Sequence, residues 1–140
     1  MRRALLTSLL LLSLPAAAEA SSAASSVRVV ECVPAPDPQQ RRATFEARMR
    51  ATAGTERMQV RFTLQTREDD LQAWRKVAAD GFDTWLTSMP AVSRYSYART
   101  VVNLAAPAEY RTIVRFRWLD AGGGVVKSAR DTSPSCSQPA

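Results

Sequence analysis

The chain has 140 residues, with 19 Lys and Arg against 13 Asp and Glu, a net charge of +6, two cysteines and no histidine. The absence of histidine excludes a Ser-His-Asp triad, a Cys-His nucleophile pair and histidine-ligated zinc. A chain of this length accommodates one domain with one hydrophobic core.

The first twenty residues predict a secretory signal peptide. A basic start precedes an apolar run over residues 4–14, and Ala18 and Ala20 form a small-residue cleavage site. The run is shorter than the roughly 20 apolar residues that a bilayer-spanning helix needs. We expect cleavage after Ala20, with Ala18 and Ala24 as alternatives and a retained N-terminal anchor as the competing interpretation. The mature chain has no further transmembrane segment by this criterion, so we expect it to be exported to the periplasm or the extracellular space.

The mature chain divides into three predicted parts. Residues 21–26 are small and polar and predict a flexible lead-in. Residues 27–136 form the predicted domain, and residues 137–140 form a short C-terminal tail.

Both cysteines, Cys32 and Cys136, lie near the two ends of the predicted domain. Exported proteins occupy compartments in which disulfides persist. The pair therefore predicts one disulfide that joins the two ends of the domain. A metal-binding or redox-active pair is the alternative, but the spacing is far from the C-x-x-C of such sites.

Alternating apolar and polar residues predict strands along the chain. The first covers residues 27–33 and ends in a proline-rich turn, the second covers residues 43–52, and the third covers residues 57–65. Gly54 lies in the connection between the second and the third, where a tight turn favours positive φ. We therefore predict that these two strands form an antiparallel hairpin.

The next stretch, residues 66–89, is compatible with two structures. Thr66 and Asp69 resemble a helix-capping box, and apolar residues with helical spacing follow. Because the flanking elements are strands, we predict instead two short strands, over residues 73–78 and 84–88. A helix over residues 67–79 is the alternative.

The second half of the domain contains the longest predicted strand. Residues 93–104 are strand-like, and Val101 and Val102 on opposite sides indicate a bulge. The long strand follows, and a glycine-rich turn connects it to a final strand over residues 125–130. Its predicted inward face carries Tyr110, Thr112, Val114, Phe116 and Trp118, and its outward face carries Arg111, Arg115 and Arg117.

Several short strands, turn residues between them and one long central strand together predict the fold class. We expect an all-β fold, namely a single immunoglobulin-like antiparallel β-sandwich of about seven strands.

Residues 104–116 resemble the E–F corner of immunoglobulin-like sandwiches, especially fibronectin type III modules. In those modules a leucine precedes a tyrosine that opens strand F, and Leu104 and Tyr110 match these positions. The resemblance implies that the Tyr110 hydroxyl bonds to nearby backbone. Residues 116–126, with the late Cys136, also resemble small exported bacterial domains of the cell-adhesion-related, CARDB-like group. The resemblance implies a fold, and it carries over no catalytic residues.

Few residues suggest enzyme chemistry. The acids at residues 68–70 are more typical of a solvated loop or a helix start than of a cation site or an acid–base pair. The sequence contains no calcium-loop, P-loop or G-x-G-x-x-G pattern. We therefore predict no catalytic, cofactor-binding or metal-binding residues.

Tryptophans and arginines remain as a candidate partner surface. Trp118 is assigned to the core and Trp74 to the buried side of the second sheet. Trp85, in the segment near Tyr95 and Tyr97, is predicted to be an exposed aromatic whose position beside arginines suits a glycan or an anionic partner.

The arginines of the long strand extend this hypothesis. They occupy positions on one face of the strand, where each step of two residues covers about 7 Å, a spacing suited to repeated anionic groups. An ordinary solvated sheet face is the alternative. The candidate partner surface comprises Trp85, Arg111, Arg115 and Arg117.

These observations predict a non-catalytic exported binding or structural module of the bacterial envelope or secretome. Its expected partner is an unknown protein, a glycan or an anionic surface polymer, and not a nucleic acid. The alternative is a small exported enzyme or enzyme inhibitor that acts through loops at one end of the sandwich. A third hypothesis is self-association through an edge strand, since the sequence does not determine the oligomeric state.

Overall fold

The computed structural model describes residues 23–140, so the predicted signal peptide, residues 1–20, and its cleavage site after Ala20 lie outside the described residues. The described strands form two antiparallel sheets packed together, which confirms the predicted all-β sandwich. Residues Pro38–Gln40 form a single 3-10 turn. Within residues 23–140, no helix has the length and apolarity that a membrane crossing requires.

Six long strands and three short ones build the two sheets of the described chain. The strands are β1 (Ser25–Val33), β2 (Arg42–Arg50), β3 (Arg57–Arg67), β4 (Arg75–Lys76), β5 (Leu86–Thr87), β6 (Arg94–Val102), β7 (Ala108–Leu119), β8 (Val125–Thr132) and β9 (Cys136–Gln138). The smaller sheet has the order β1-β2-β6. The larger sheet has the order β4-β3-β7-β8, in which β5 also pairs with β3 and β9 with β7.

Strand β7 is the centre of the larger sheet, between β3 and β8. Its apolar side chains point inward at every second position because successive side chains of a strand alternate between faces. Together with the apolar side chains of β3 beside them, they pack against the apolar face of β2, and this contact forms the core. The predicted inward residues are all buried: Tyr110, Thr112, Val114, Phe116 and Trp118.

The predicted hairpin of β2 and β3 is wrong, because these strands lie in different sheets. Ala51 N–H donates to the Ser93 carbonyl at 2.9 Å, which holds one end of the connection in the smaller sheet. Glu56 N–H donates to the Leu119 carbonyl at 2.7 Å, which holds the other end in the larger sheet. Both strands have an apolar face, and they bury these faces against each other across the sandwich.

The stretch after β3 contains two short strands, as predicted, and it contains no helix. Strands β4 and β5 pair with opposite ends of β3, so they extend the larger sheet and do not begin a new one. The Asp69 carboxylate accepts hydrogen bonds from the Leu71 and Gln72 N–H groups and closes a local turn there. The capping pattern of Thr66 and Asp69 therefore corresponds to a turn and not to the start of a helix.

Strand β6 pairs with β2 in regular register from Arg94 to Val102, so the bulge predicted from Val101 and Val102 is wrong. Val101 packs against the core, whereas Val102 is 52% exposed. Val102 is exposed because it follows Val101 in the regular alternation of β6 and so lies on the outward face of the smaller sheet.

The two ends of the domain are joined as predicted by a disulfide between Cys32 and Cys136, whose Cα atoms are 5.5 Å apart. The ordered structure extends beyond the predicted domain limits on both sides. Strand β9 pairs with the start of β7, and Gln138 is buried, so residues 137–140 are not simply a tail. Residues 25–26 of the predicted lead-in already pair with β2.

The turn before β7 contains the corner residues of the immunoglobulin-like resemblance. Ala105 N–H donates to the Tyr110 hydroxyl at 2.9 Å, and Leu104 is buried beside it. The hydroxyl thus makes the kind of backbone contact that the resemblance implies. The peptide bond between Ala106 and Pro107 in this turn is cis.

Candidate interaction surface

The outward face of the larger sheet carries a concentration of arginines. Side chains of β3, β7 and β8 that do not point into the core lie on this surface, because strand side chains alternate. We call this surface the basic face. Its arginines are Arg57, Arg61, Arg67, Arg111, Arg115, Arg117 and Arg130.

The strand register places three arginines side by side in the middle of the basic face. Arg61 of β3 lies opposite Arg115 of β7, and Arg115 lies opposite Arg130 of β8. Neighbouring strands are about 4.8 Å apart, so the three side chains leave the sheet close together. Like charges directly opposite each other destabilise a sheet. We call these three residues the arginine row.

Only part of this positive charge is neutralised by carboxylates. Asp83 lies 3.8 Å from the Arg61 guanidinium and 3.2 Å from the Lys76 ammonium group. Arg67 donates to the Glu109 carboxylate at 2.6 Å. Within residues 23–140, no carboxylate pairs with Arg111, Arg115, Arg117 or Arg130.

Two tryptophans lie on the basic face, each in contact with arginine. The Arg117 guanidinium is 4.0 Å from the ring centre of Trp85. The guanidinium groups of Arg111 and Arg67 are 4.2 and 4.6 Å from the ring centre of Trp74. Cation–π attraction at these distances stabilises both rings over the sheet. One tryptophan therefore lies toward each end of the basic face.

The prediction that Trp74 is a buried core residue is wrong. Its loop, residues 68–74, leaves β3 at the edge of the sheet, where the inward positions of β3 already fill the core. Trp85 is half-buried on the basic face, so the prediction that it is an exposed aromatic is wrong. Tyr95 and Tyr97 instead point inward from β6 and pack against the core, so they do not share a surface with Trp85.

The crowding of positive charge affects the titration of Arg111. Burial lowers the pKa of its guanidinium, and the positive charges of Arg67 and Arg130 lower it further. The cations of the basic face therefore repel one another across strands. A bound anion would relieve this repulsion.

The outward face of the smaller sheet shows the opposite arrangement. Glu46 accepts hydrogen bonds from Arg48 and Arg28, and Glu31 pairs with Arg42. The bond from Arg48, followed by that from Arg28, lowers the pKa of Glu46 to about 2. Glu46 is therefore ionised at neutral pH and neutralises the arginines beside it. Within residues 23–140, by contrast, no carboxylate forms an ion pair with Arg115 or Arg130 of the arginine row.

A groove of about 660 Å³ lies beside the arginine row at the β7–β8 side of the sheet. Its lining includes Trp85, Arg115, Arg117 and Arg130, and none of its lining residues is acidic. The groove therefore combines guanidinium donors with one aromatic wall. A second cleft, of about 460 Å³ on the smaller sheet, has Glu46 as its one acidic lining residue.

The described residues offer hydrogen-bond donors and aromatic rings, and few groups suited to other chemistry. Residues 23–140 contain no group of three or more Cys, Asp or Glu side chains placed to hold a metal ion. Both cysteines in this part of the chain are in the disulfide. The guanidinium groups and indole rings of this surface are suited to noncovalent recognition of negative charge.

Sequence reasoning identified part of the basic face. It missed Arg61, Arg130 and Trp74. The alternation in β3 already placed Arg61 on the outward side. The strand register decides which residues of neighbouring strands lie opposite each other, and the sequence alone does not give this register. The predicted surface residues all lie on the basic face: Trp85, Arg111, Arg115 and Arg117.

Comparison of the chain with protein-family models and with curated proteins found no match.

Proposed function

We propose that this protein is an exported, non-catalytic binding module whose basic face holds an anionic polymer of the bacterial envelope. Export is supported by the signal-like first twenty residues and by the Cys32–Cys136 disulfide, since disulfides persist in oxidising compartments. The proposed location is the periplasm or the extracellular space.

The strand order supports an immunoglobulin-like origin for the module. The first, second and sixth strands form one sheet, and the third, seventh and eighth form the centre of the other. This corresponds to strands A, B and E facing C, F and G of immunoglobulin-like sandwiches. The order and the Tyr110 hydroxyl contact favour this immunoglobulin-like relation, and the resemblance to fibronectin type III and CARDB-like domains stays a prediction.

The observation that carries the proposal is the arginine row without matching carboxylates. Within residues 23–140, Asp83 is the one carboxylate at ion-pair distance from the row, on the Arg61 side, and Asp83 also pairs with Lys76. Arranging Arg115 and Arg130 opposite each other is unfavourable for the isolated sheet. A ligand with repeated negative charges would turn this unfavourable arrangement into a binding site, because guanidinium groups bind carboxylate and phosphate through paired hydrogen bonds.

The tryptophans favour an acidic polysaccharide as the occupant. Trp74 and Trp85 contact Arg111 and Arg117, which are six residues apart on β7 and hence about 20 Å apart along an extended strand. An extended sugar chain can bring its acidic groups to the arginine row and its ring faces to the indoles at both ends. A single small anion would use only one part of this surface.

The test is binding of alginate, a polyuronate, to the protein and to the double variant Arg115→Gln with Arg130→Gln. We expect the double variant to bind roughly tenfold more weakly and to show a shallower dependence of affinity on salt, since two cationic contacts are lost. Calorimetric titrations at several ionic strengths measure both quantities. The charge-matched control is Arg28→Gln with Arg42→Gln on the smaller sheet, which should bind nearly as the parent protein does.

Equal weakening by both double variants would show a net-charge effect and contradict the proposed site. Binding that is insensitive to salt, or no binding of alginate at all, would contradict an acidic polysaccharide partner. Tighter binding of polyglutamate or of single-stranded DNA in parallel titrations would assign the basic face to a different class of partner.

A further inference from the structure

Strand β6 forms an open edge of the smaller sheet. In an antiparallel pair, alternate residues direct their backbone groups toward the neighbouring strand. The bond from Ala51 N–H to the Ser93 carbonyl sets this alternation, so the odd-numbered residues of β6 bond to β2. The even-numbered residues Ser96, Ala98 and Thr100 therefore direct their N–H and C=O groups outward. In the described chain, no backbone hydrogen bond from another element reaches them.

The other sheet edges of the described chain carry features that discourage pairing. Strand β1 is bulged between Val29 and Glu31, and the register of β7 with β8 shifts beside Trp118. Strands β4 and β5 cover parts of the edge of β3. Strand β6 has nine residues in unbroken register with β2 and contains no proline. Bulges and prolines are among the usual protections of an edge, and β6 has neither. The inward-pointing charge of Arg99, which Gly81 packs against, is the one protective feature along β6.

The side chains of β6 are complementary to a second copy of the same strand. If two β6 strands run antiparallel about a two-fold axis at Ala98, each Ala98 faces the other and Ser96 faces Thr100. On the opposite side of the strand, Tyr97 faces Arg99. Within one chain the Arg99 guanidinium already lies 4.8 Å from the Tyr97 ring centre, so the two groups are compatible neighbours. This register places no like charges directly opposite each other.

We propose that the protein forms a symmetric dimer in which β6 pairs with β6 of a second copy and joins two three-stranded sheets into one of six strands. An isologous two-fold contact of this kind closes on itself and does not propagate into fibres. The basic face belongs to the other sheet and stays accessible in such a dimer. The dimer does not depend on the proposed ligand, although two basic faces would strengthen attachment to a repeating polymer.

The test is the molar mass of the purified oxidised protein in sedimentation experiments from micromolar to millimolar concentration. We expect a monomer–dimer equilibrium that Ala98→Pro weakens by at least about thirtyfold, since each copy loses the central N–H donor. The outward N–H of Ala98 is not bonded to β2, so the substitution leaves the smaller sheet's own hydrogen bonds in place. Ala98→Glu should weaken the dimer as well, because it sets two carboxylates opposite each other at the axis.

The control is Val30→Glu, which adds the same charge at an exposed position of the other edge strand, β1, and should leave the dimer intact. Circular dichroism verifies that each variant is folded. If Ala98→Pro does not fold, Ala98→Glu alone tests the proposal. Hydrogen exchange should show slow amides at Ser96, Ala98 and Thr100 only at concentrations where the dimer forms. A monomer at every concentration, or a dimer unaffected by both Ala98 variants, would overturn the proposal.

Discussion

Replacing Cys32 and Cys136 together with serine is expected to lower the free energy of unfolding by about 4–5 kcal/mol. The disulfide closes a loop of 104 residues, and loss of such a crosslink releases a large conformational entropy in the unfolded chain. Small domains have total stabilities of about 5–15 kcal/mol, so the variant would be close to unfolding at physiological temperature. The measurement is urea-induced unfolding of the oxidised protein and the double-serine variant, followed by circular dichroism.

Reduction of the unmodified protein provides an independent control for this prediction. The reduced protein should unfold at the same urea concentration as the double-serine variant, because both lack only the crosslink. Cys136 is buried, so serine at position 136 places a hydroxyl in the core. If the double-serine variant is less stable than the reduced protein, the difference measures the cost of burying this hydroxyl. Equal unfolding midpoints for the oxidised and reduced proteins would contradict a stabilising role of the disulfide.

Substitution of Trp118 by alanine is expected to lower the free energy of unfolding by about 3–5 kcal/mol. Trp118 is the largest fully buried side chain of residues 23–140 and lies near the C-terminal end of β7. Its indole N–H donates to the Arg50 carbonyl of β2 at 2.7 Å, which joins the two sheets directly. The substitution therefore leaves a cavity and removes the donor from a carbonyl at the sheet interface.

Two variants separate these contributions in the same unfolding measurement. Trp118→Phe keeps most of the apolar volume and loses the hydrogen bond, so we expect a loss of about 1–3 kcal/mol. Trp85→Ala removes a tryptophan from the basic face and should cost less than about 1 kcal/mol. If Trp118→Ala and Trp85→Ala destabilised the protein equally, the assignment of Trp118 as a core residue that links the two sheets would be contradicted.

The sequence alone predicted the two faces of β7 and the disulfide correctly. The alternation around Val114 and Phe116 identified both faces of β7, because one face of a strand must be buried against the core. The pair Cys32 and Cys136 indicated the disulfide, since an exported chain with two cysteines has one simple pairing. These features need no knowledge of how distant strands are ordered.

The wrong predictions concern which strands pair with each other and which side of the sheet Trp74 occupies. The connection around Gly54 has positive φ, as a hairpin turn would, yet it crosses between sheets. Two adjacent strands with apolar faces can pair side by side or face each other, and only the packing of the whole core decides between these arrangements. Trp74 was assigned inward by its apolar character alone, although cation–π contacts stabilise it on the surface.

The arginine row shows the same limit in the candidate site. Arg115 was recognisable from the alternation in β7, but its neighbours Arg61 and Arg130 lie 54 and 15 positions away in the sequence. Only the strand register brings the three together. A surface whose residues come from several strands therefore cannot be predicted from the pattern of any one segment.

The most direct test of the central claim is to locate a bound acidic oligosaccharide by nuclear magnetic resonance. Short alginate oligomers are added to isotope-labelled protein while arginine side-chain and tryptophan indole signals are followed. Binding at the basic face predicts shifts of Arg115, Arg117 and Trp85, with Arg28 and Arg48 of the smaller sheet unchanged. Shifts confined to the smaller sheet, or no shifts at saturating oligomer, would contradict the claim that the basic face is the binding surface.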